Sequence, residues 1–127
     1  MKTLSFLLFC SILFFSCSKK IEQNPTIGQS VIIQNLEIAQ FDFDYKLDFD
    51  GAKIACNNLG YGWRLPNKTE LNTLQLNRDK ISSFKGIDYW SSTDVDTYTA
   101  WSQNIINSIQ VTSNKSNSFS VRAVRAF

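Results

Sequence analysis

Apolar and polar positions follow four successive patterns along the chain. Residues 3–15 read TLSFLLFCSILFF, an almost unbroken apolar run behind Lys2. Residues 18–30, SKKIEQNPTIGQS, are polar and carry Pro25 and Gly28, which predicts a flexible tether. From Val31-Ile32-Ile33 the chain becomes β-like, and between Phe41 and Tyr45 apolar and polar residues alternate strictly. That alternation predicts a strand with Phe41, Phe43 and Tyr45 on one face and Asp42 and Asp44 on a solvated face. Helical spacing follows. Asp48 or Asp50 caps a helix running to about Leu59, with Ile54, Ala55, Cys56 and Leu59 on its buried side and Gly60 as its left-handed stop.

A second helix starts behind Pro66. Asn67 and Glu70 form a capping box, and Leu71, Leu74 and Leu76 supply the apolar side. Residues 77–80 and Lys85-Gly86 are loop-like. Strand patterns close the chain at residues 88–93, 98–106, 108–112 and 119–127. A strand, two helices and then several antiparallel strands make an α+β domain. We place its start near Val31, so that residues 31–127 fold and residues 17–30 connect.

The opening run is an export signal: a positive start, a short apolar stretch and a small residue before the cut. Phe14-Phe15-Ser16-Cys17 resembles a bacterial lipobox, with Phe14 where leucine is usual. That resemblance implies removal of residues 1–16 and acylation of Cys17, with the outer membrane as destination, on its periplasmic or cell-surface face. Removing residues 1–16 takes Lys2 and leaves a formal net charge of +1 from the original +2. Such a balance gives no electrostatic footprint for nucleic acid.

Candidate chemistry is sparse. The sequence has no histidine and three cysteines. Cys10 leaves with the signal and Cys17 takes lipid. Cys56 is then alone, without a base to form its thiolate, and reads as a small core residue. Glu37, Asp42, Asp44, Asp48 and Asp50 lack the ligand spacing of a calcium loop. Asp42 and Asp44 could pair as catalytic carboxylates, but nothing else converges on them. We therefore expect no enzyme activity, metal or cofactor. Arg64, between Trp63 and Leu65, stays open: catalytic arginine, ligand contact or structural fastener.

Four motifs then occur in order: GWRLPNKTEL at 62–71, YWSST at 89–93, AW at 100–101 and VRAVR at 121–125. Together they resemble the C-terminal domain family of the Legionella collagen-like protein, and in particular short lipoproteins of Bacteroidetes-type bacteria. The resemblance implies a C-type-lectin-like fold, with two helices packed on a twisted antiparallel sheet and the terminal strands paired. It implies a surface-exposed binding module for glycans or proteins. Within it Trp63, Arg64, Leu65, Pro66 and Glu70 fasten the fold, Trp90 and Trp101 are core with sugar stacking left open, and Arg122 and Arg125 belong to the closing motif. Many relatives carry a cysteine where Ala123 stands, so Cys56 has no partner here. The proline-containing calcium motifs of calcium-dependent lectins are absent.

Residues 102–120 are dominated by Asn, Ser, Thr and Gln, with Lys115 as the only charge. They read either as polar turns or as an adaptable binding face. On the second reading the ligand contacts are Ser102, Asn104, Asn107, Ser108, Gln110, Thr112, Asn114 and Asn117. Ile105, Ile106, Ile109 and Val111 interrupt the run too closely for all to point inward. Asn, Ser, Thr, Ile and Val are also what adenine-directed mutagenesis of asparagine codons leaves, as in retroelement-diversified relatives. Three functions follow: a lipid-anchored module binding a glycan or protein, a diversified version of it, or a structural envelope lipoprotein with one fixed partner.

Overall fold

The computed structural model describes residues 24–127. The signal at 1–16 and Cys17 lie outside the described residues. The elements are β1 (Val31–Ile33), β2 (Leu36–Ile38), α1 (Phe49–Asn57), α2 (Lys68–Leu76), β3 (Asp88–Asp94), β4 (Thr99–Asn104), β5 (Gln110–Asn114) and β6 (Val124–Ala126).

Two antiparallel three-stranded sheets form, ordered β1-β2-β6 and β3-β4-β5. The first ties the chain's ends together, with Leu36 opposite Ala126 and Ile38 opposite Val124. The expected last strand at 119–127 shortens to β6. Residues 119–123 cross between elements instead: Phe119 bridges Leu47, Ser120 bridges Tyr89, and the Ala123 carbonyl accepts from Ala39 N–H.

Both helices are capped from their own sequence. Asp48 accepts from Gly51 N–H at the start of α1. At α2 the Asn67 side chain accepts from Glu70 N–H while Glu70 accepts from Asn67 N–H, satisfying two otherwise orphaned donors. Gly60 takes φ +75°, as a helix stop requires.

The core lies in two clusters. One gathers Phe49, Ala52 and Cys56 of α1 with Trp63, Trp90, Ala100 and Val121. The other gathers Leu71 and Leu74 of α2 with Ile38, Tyr89, Ile105 and Val124. The helices thus cover opposite faces of the β3-β4-β5 sheet.

Several expectations are corrected here. Residues 41–45 form no strand; the segment is irregular, and Asp42 turns inward while Asp44 and Tyr45 stay exposed. Alternation sets side-chain parity but supplies no neighbour for the backbone to pair with. Ile54 and Leu76 are exposed, because each helix buries a narrower stripe than its apolar residues span. Nor are residues 24–30 a free tether. Gln40 and Phe41 donate backbone bonds to the carbonyls of Ile27 and Thr26, and Ile27 packs on the first core cluster. The domain therefore begins by Asn24 rather than near Val31.

Candidate ligand-binding face

The three arginines of the recognised motifs are all spoken for. Arg64 meets Glu70 through two bonds of 2.7 and 2.8 Å, and its backbone exchanges bonds with Val124. Since Glu70 also completes the capping box, Arg64 holds the entry of α2. The Arg64 bond draws Glu70 below the ordinary carboxylate range against the opposing effect of burial. Arg125 bonds Glu37 and lies 4.7 Å from the centre of the Trp63 ring. The Arg125 bond likewise lowers Glu37.

Arg122 is fully buried. Its Nε donates to Asp42 at 2.8 Å, and its other nitrogens donate to the carbonyls of Ala39, Gln40, Ser82 and Ser83. Asp42 also accepts from the Tyr89 hydroxyl at 2.6 Å and from Lys85 N–H at 3.0 Å. Burial, then the bond to Asp42, pushes the Tyr89 phenol well above its ordinary range. Asp42 is therefore the counter-ion of a structural knot. It is neither half of an acid–base pair with Asp44 nor part of a solvated face. Cys56 is equally closed, with burial pushing its thiol up to about 12.

Open chemistry lies on β4 and the edge strand β5. Trp101 faces Thr112 across the strand pair, and Gln103 faces Gln110. This is the face turned to α2. Trp101 is only half-buried, which corrects its expected core placement: the small neighbours Ala100 and Ser102 take the inward positions on the opposite face. Lys68, the first residue of α2, sets its ammonium 3.4 Å from the Trp101 ring centre. Gln103 donates to Asn72 of α2 and to the Ser108 carbonyl. Gln110 donates to the Lys68 carbonyl and, at 3.3 Å, to Gln103. The ledge is thereby braced against α2 by a chain of side-chain amides.

The eight expected contacts divide. Thr112 and Asn114 project from β5 on the Trp101 side, beyond the edge of α2, and both are exposed. Gln110 joins them in position, but its amide is spent on α2. Asn104 and Asn107 stand in the β4–β5 turn, where their carbonyl oxygens accept from backbone N–H of Ile106, Asn107 and Ile109. Ser108 shapes that turn with φ +67°. Asn117 is exposed in the turn after β5, while Asn114 caps that turn through Ser116. Ser102 does not belong to this face: it is 2% exposed and bonds Ser113 on the other side. Lys115 pairs with Asp94 at 2.6 Å. Lys68 was not anticipated; its place directly after the N-cap Asn67 is the only local sign of it. Among the described residues no group of His, Cys, Asp and Glu could hold a metal ion.

The Lcl C-terminal domain matches residues 23–125 of this sequence. The chain belongs to the Lcl C-terminal domain family. The family's match starts one position before the first described residue, Asn24. Among solved structures, botrocetin superposes with a TM-score of 0.56 at 10% identity, covering 82% of this chain and 98% of that one. A chain of the complex between a mutant von Willebrand factor A1 domain and botrocetin gives 0.54 at 11% identity, with the same coverages. These likenesses show the C-type-lectin-like fold. No curated protein matches the chain. This chain therefore combines the Lcl family match with a C-type-lectin-like fold. No helix among its described residues is long and apolar enough to cross a membrane.

Proposed function

We propose that this is a lipid-anchored envelope lipoprotein, of the short Bacteroidetes type, whose Lcl domain binds a glycan through the ledge of Trp101, Lys68, Thr112 and Asn114. The observation that carries this is Trp101. A large, partly buried aromatic with the Lys68 ammonium over its ring stands beside exposed hydroxyl and amide groups, and a sugar ring uses an aromatic edge and polar groups together. Lys68 over the indole keeps a positive charge at the ledge, which favours acidic sugars. We also assign Asn104, Asn107 and Ser108, at the turn before β5, and Asn117, in the turn after it, as further contacts. Cys17 carries the anchor on the outer membrane, on either its periplasmic or its cell-surface side.

A glycan array with residues 24–127, run with and without calcium, tests the reading. Binding that persists without calcium and disappears in Trp101→Ala supports it. An empty array, with one stoichiometric protein co-purifying from envelopes, replaces it by a structural role with a fixed partner. Labelling of cells with an alkyne fatty acid, lost in Cys17→Ala, tests the anchor separately.

A second reading has its own support. Ile106, Ile109 and Val111 are 63, 57 and 47% exposed rather than core. Exposed Ile and Val among Asn, Ser and Thr fit a segment rewritten by adenine-directed mutagenesis. An imperfect, adenine-differing copy of the DNA for residues 100–127 nearby in the genome would establish it, and its absence would remove it.

A further inference from the structure

We propose that the groove between the 43–47 segment and α1 is the face this domain lays on the phospholipid surface, resting on the reading that Cys17 carries the anchor. The groove encloses about 380 Å³ and is lined by Phe43, Tyr45, Leu47, Ile54 and Leu59, with Asn24 at its rim. Tyr45 and Ile54 are 67 and 59% exposed. They break the helical and alternating patterns that should have buried them, so two large apolar side chains face water at one spot. Asn24 is the first described residue and lies seven positions after Cys17. Seven residues span at most about 25 Å when extended and about 15 Å as a flexible chain. An anchor at Cys17 therefore keeps Asn24, and the groove it lines, within about 25 Å of the membrane.

Charge sets the kind of contact. Lys46 and Lys53 neighbour Tyr45 and Ile54, while Asp44, Asp48 and Asp50 offset them. The face has no net attraction for anionic headgroups. Its fit is to a zwitterionic surface, with the tyrosine at headgroup level and the isoleucine below it. The orientation also serves the ledge. The groove lies on the outer side of α1, whereas Trp101 and Lys68 lie on the α2 side of the sheet. Seating α1's flank on lipid turns the ledge away from it.

The test couples the chain from Cys17 onward to a maleimide lipid in phosphatidylethanolamine vesicles that also contain bromine-labelled acyl chains. Cys56 is buried and leaves Cys17 as the reacting thiol. Coupling supplies the anchor chemically, so the outcome does not depend on cellular acylation, which the fatty-acid labelling reads by itself. Fluorescence of Tyr45→Trp is compared with that of Leu76→Trp, an exposed position at the end of α2. We expect added fluorescence at position 45 to be quenched at least about twofold more than at position 76, as for an aromatic seated in the interface. Adding Ile54→Asp should bring the two to the same level, with near-ultraviolet circular dichroism unchanged. Equal quenching at both positions overturns the proposal. So does stronger quenching at position 76, or concentration-dependent cross-linking through the groove, which would give the face to a second copy.

Discussion

At the scale of single residues, Asp42 and Arg122 carry the sharpest consequences. Each is buried and each answers the other, so removing one leaves an uncompensated charge in the interior. Asp42→Asn should cost about 3–5 kcal/mol in urea unfolding. Asp44→Asn, two residues away and exposed, should stay within about 0.5 kcal/mol. Tyr89 offers a second readout. Three of the four tyrosines, Tyr45, Tyr61 and Tyr98, are exposed, and only Tyr89 is buried. Its phenol is raised in the folded state, so the stability it contributes is complete below the ordinary phenol range and is lost as pH rises through the raised value. An alkaline spectrophotometric titration should show the Tyr89 phenol ionising only as the domain unfolds. Ionisation of Tyr89 while the fold is still intact would mean that the Asp42 knot is open in solution.

At the scale of elements, the N-terminus of α2 joins three sets of bonds. The capping box closes it, Arg64 pins the capping glutamate, and the Lys68 carbonyl and amide bind Gln110 and Thr93 of the second sheet. Asn67→Ala should cost about 1 kcal/mol, measured by thermal melting. Glu70 and Glu37 sit below the ordinary carboxylate range when folded, so the unfolded chain takes up their protons first. Their contribution is present above the unfolded pKa and is lost as pH falls through the lowered folded values. Stability should therefore fall on acidification below about pH 4.5, the ordinary value for these groups. The double variant Glu37→Gln, Glu70→Gln should flatten that fall; an unchanged acid limb would put its origin elsewhere.

At the scale of the molecule, where the domain begins matters for every measurement. Residues 24–30 place Ile27 on the core, and the carbonyls of Ile27 and Thr26 accept from Gln40 and Phe41 N–H. A version beginning at Val31 should lose about 1–2 kcal/mol against one beginning at Asn24, from the isoleucine's burial alone. Equal midpoints in denaturant would show that this segment adds nothing. The ledge is likewise a property of the whole, since β4, β5 and the start of α2 are separated in sequence and meet only in the fold. Lys68→Ala should weaken binding of an acidic glycan by severalfold while leaving neutral-sugar binding close to unchanged.

Much of this was legible in the linear pattern. Asn67 and Glu70 show a helix start because the bonds they make are local. Gly60 marks a helix stop for the same reason. The strands at 88–94 and 99–104 follow from β-rich runs, and the ordered motifs led to the lectin-like family. What local pattern left undecided was which groups would meet across the chain. Asp42 looked solvated because its partner, Arg122, is 80 positions away. Trp101 looked like core because size suggests burial, whereas Ala100 and Ser102 had already filled the inward side. Ile54 and Leu76 matched a helical stripe whose width only the opposing surface could set. The sequence by itself determined the capped helices, the strands at 88–94 and 99–104 and the family, since those rest on interactions between near neighbours. The tertiary structure alone decided which charges are buried, which aromatics reach the surface and which apolar residues face outward, since each depends on surfaces that distant segments bring together.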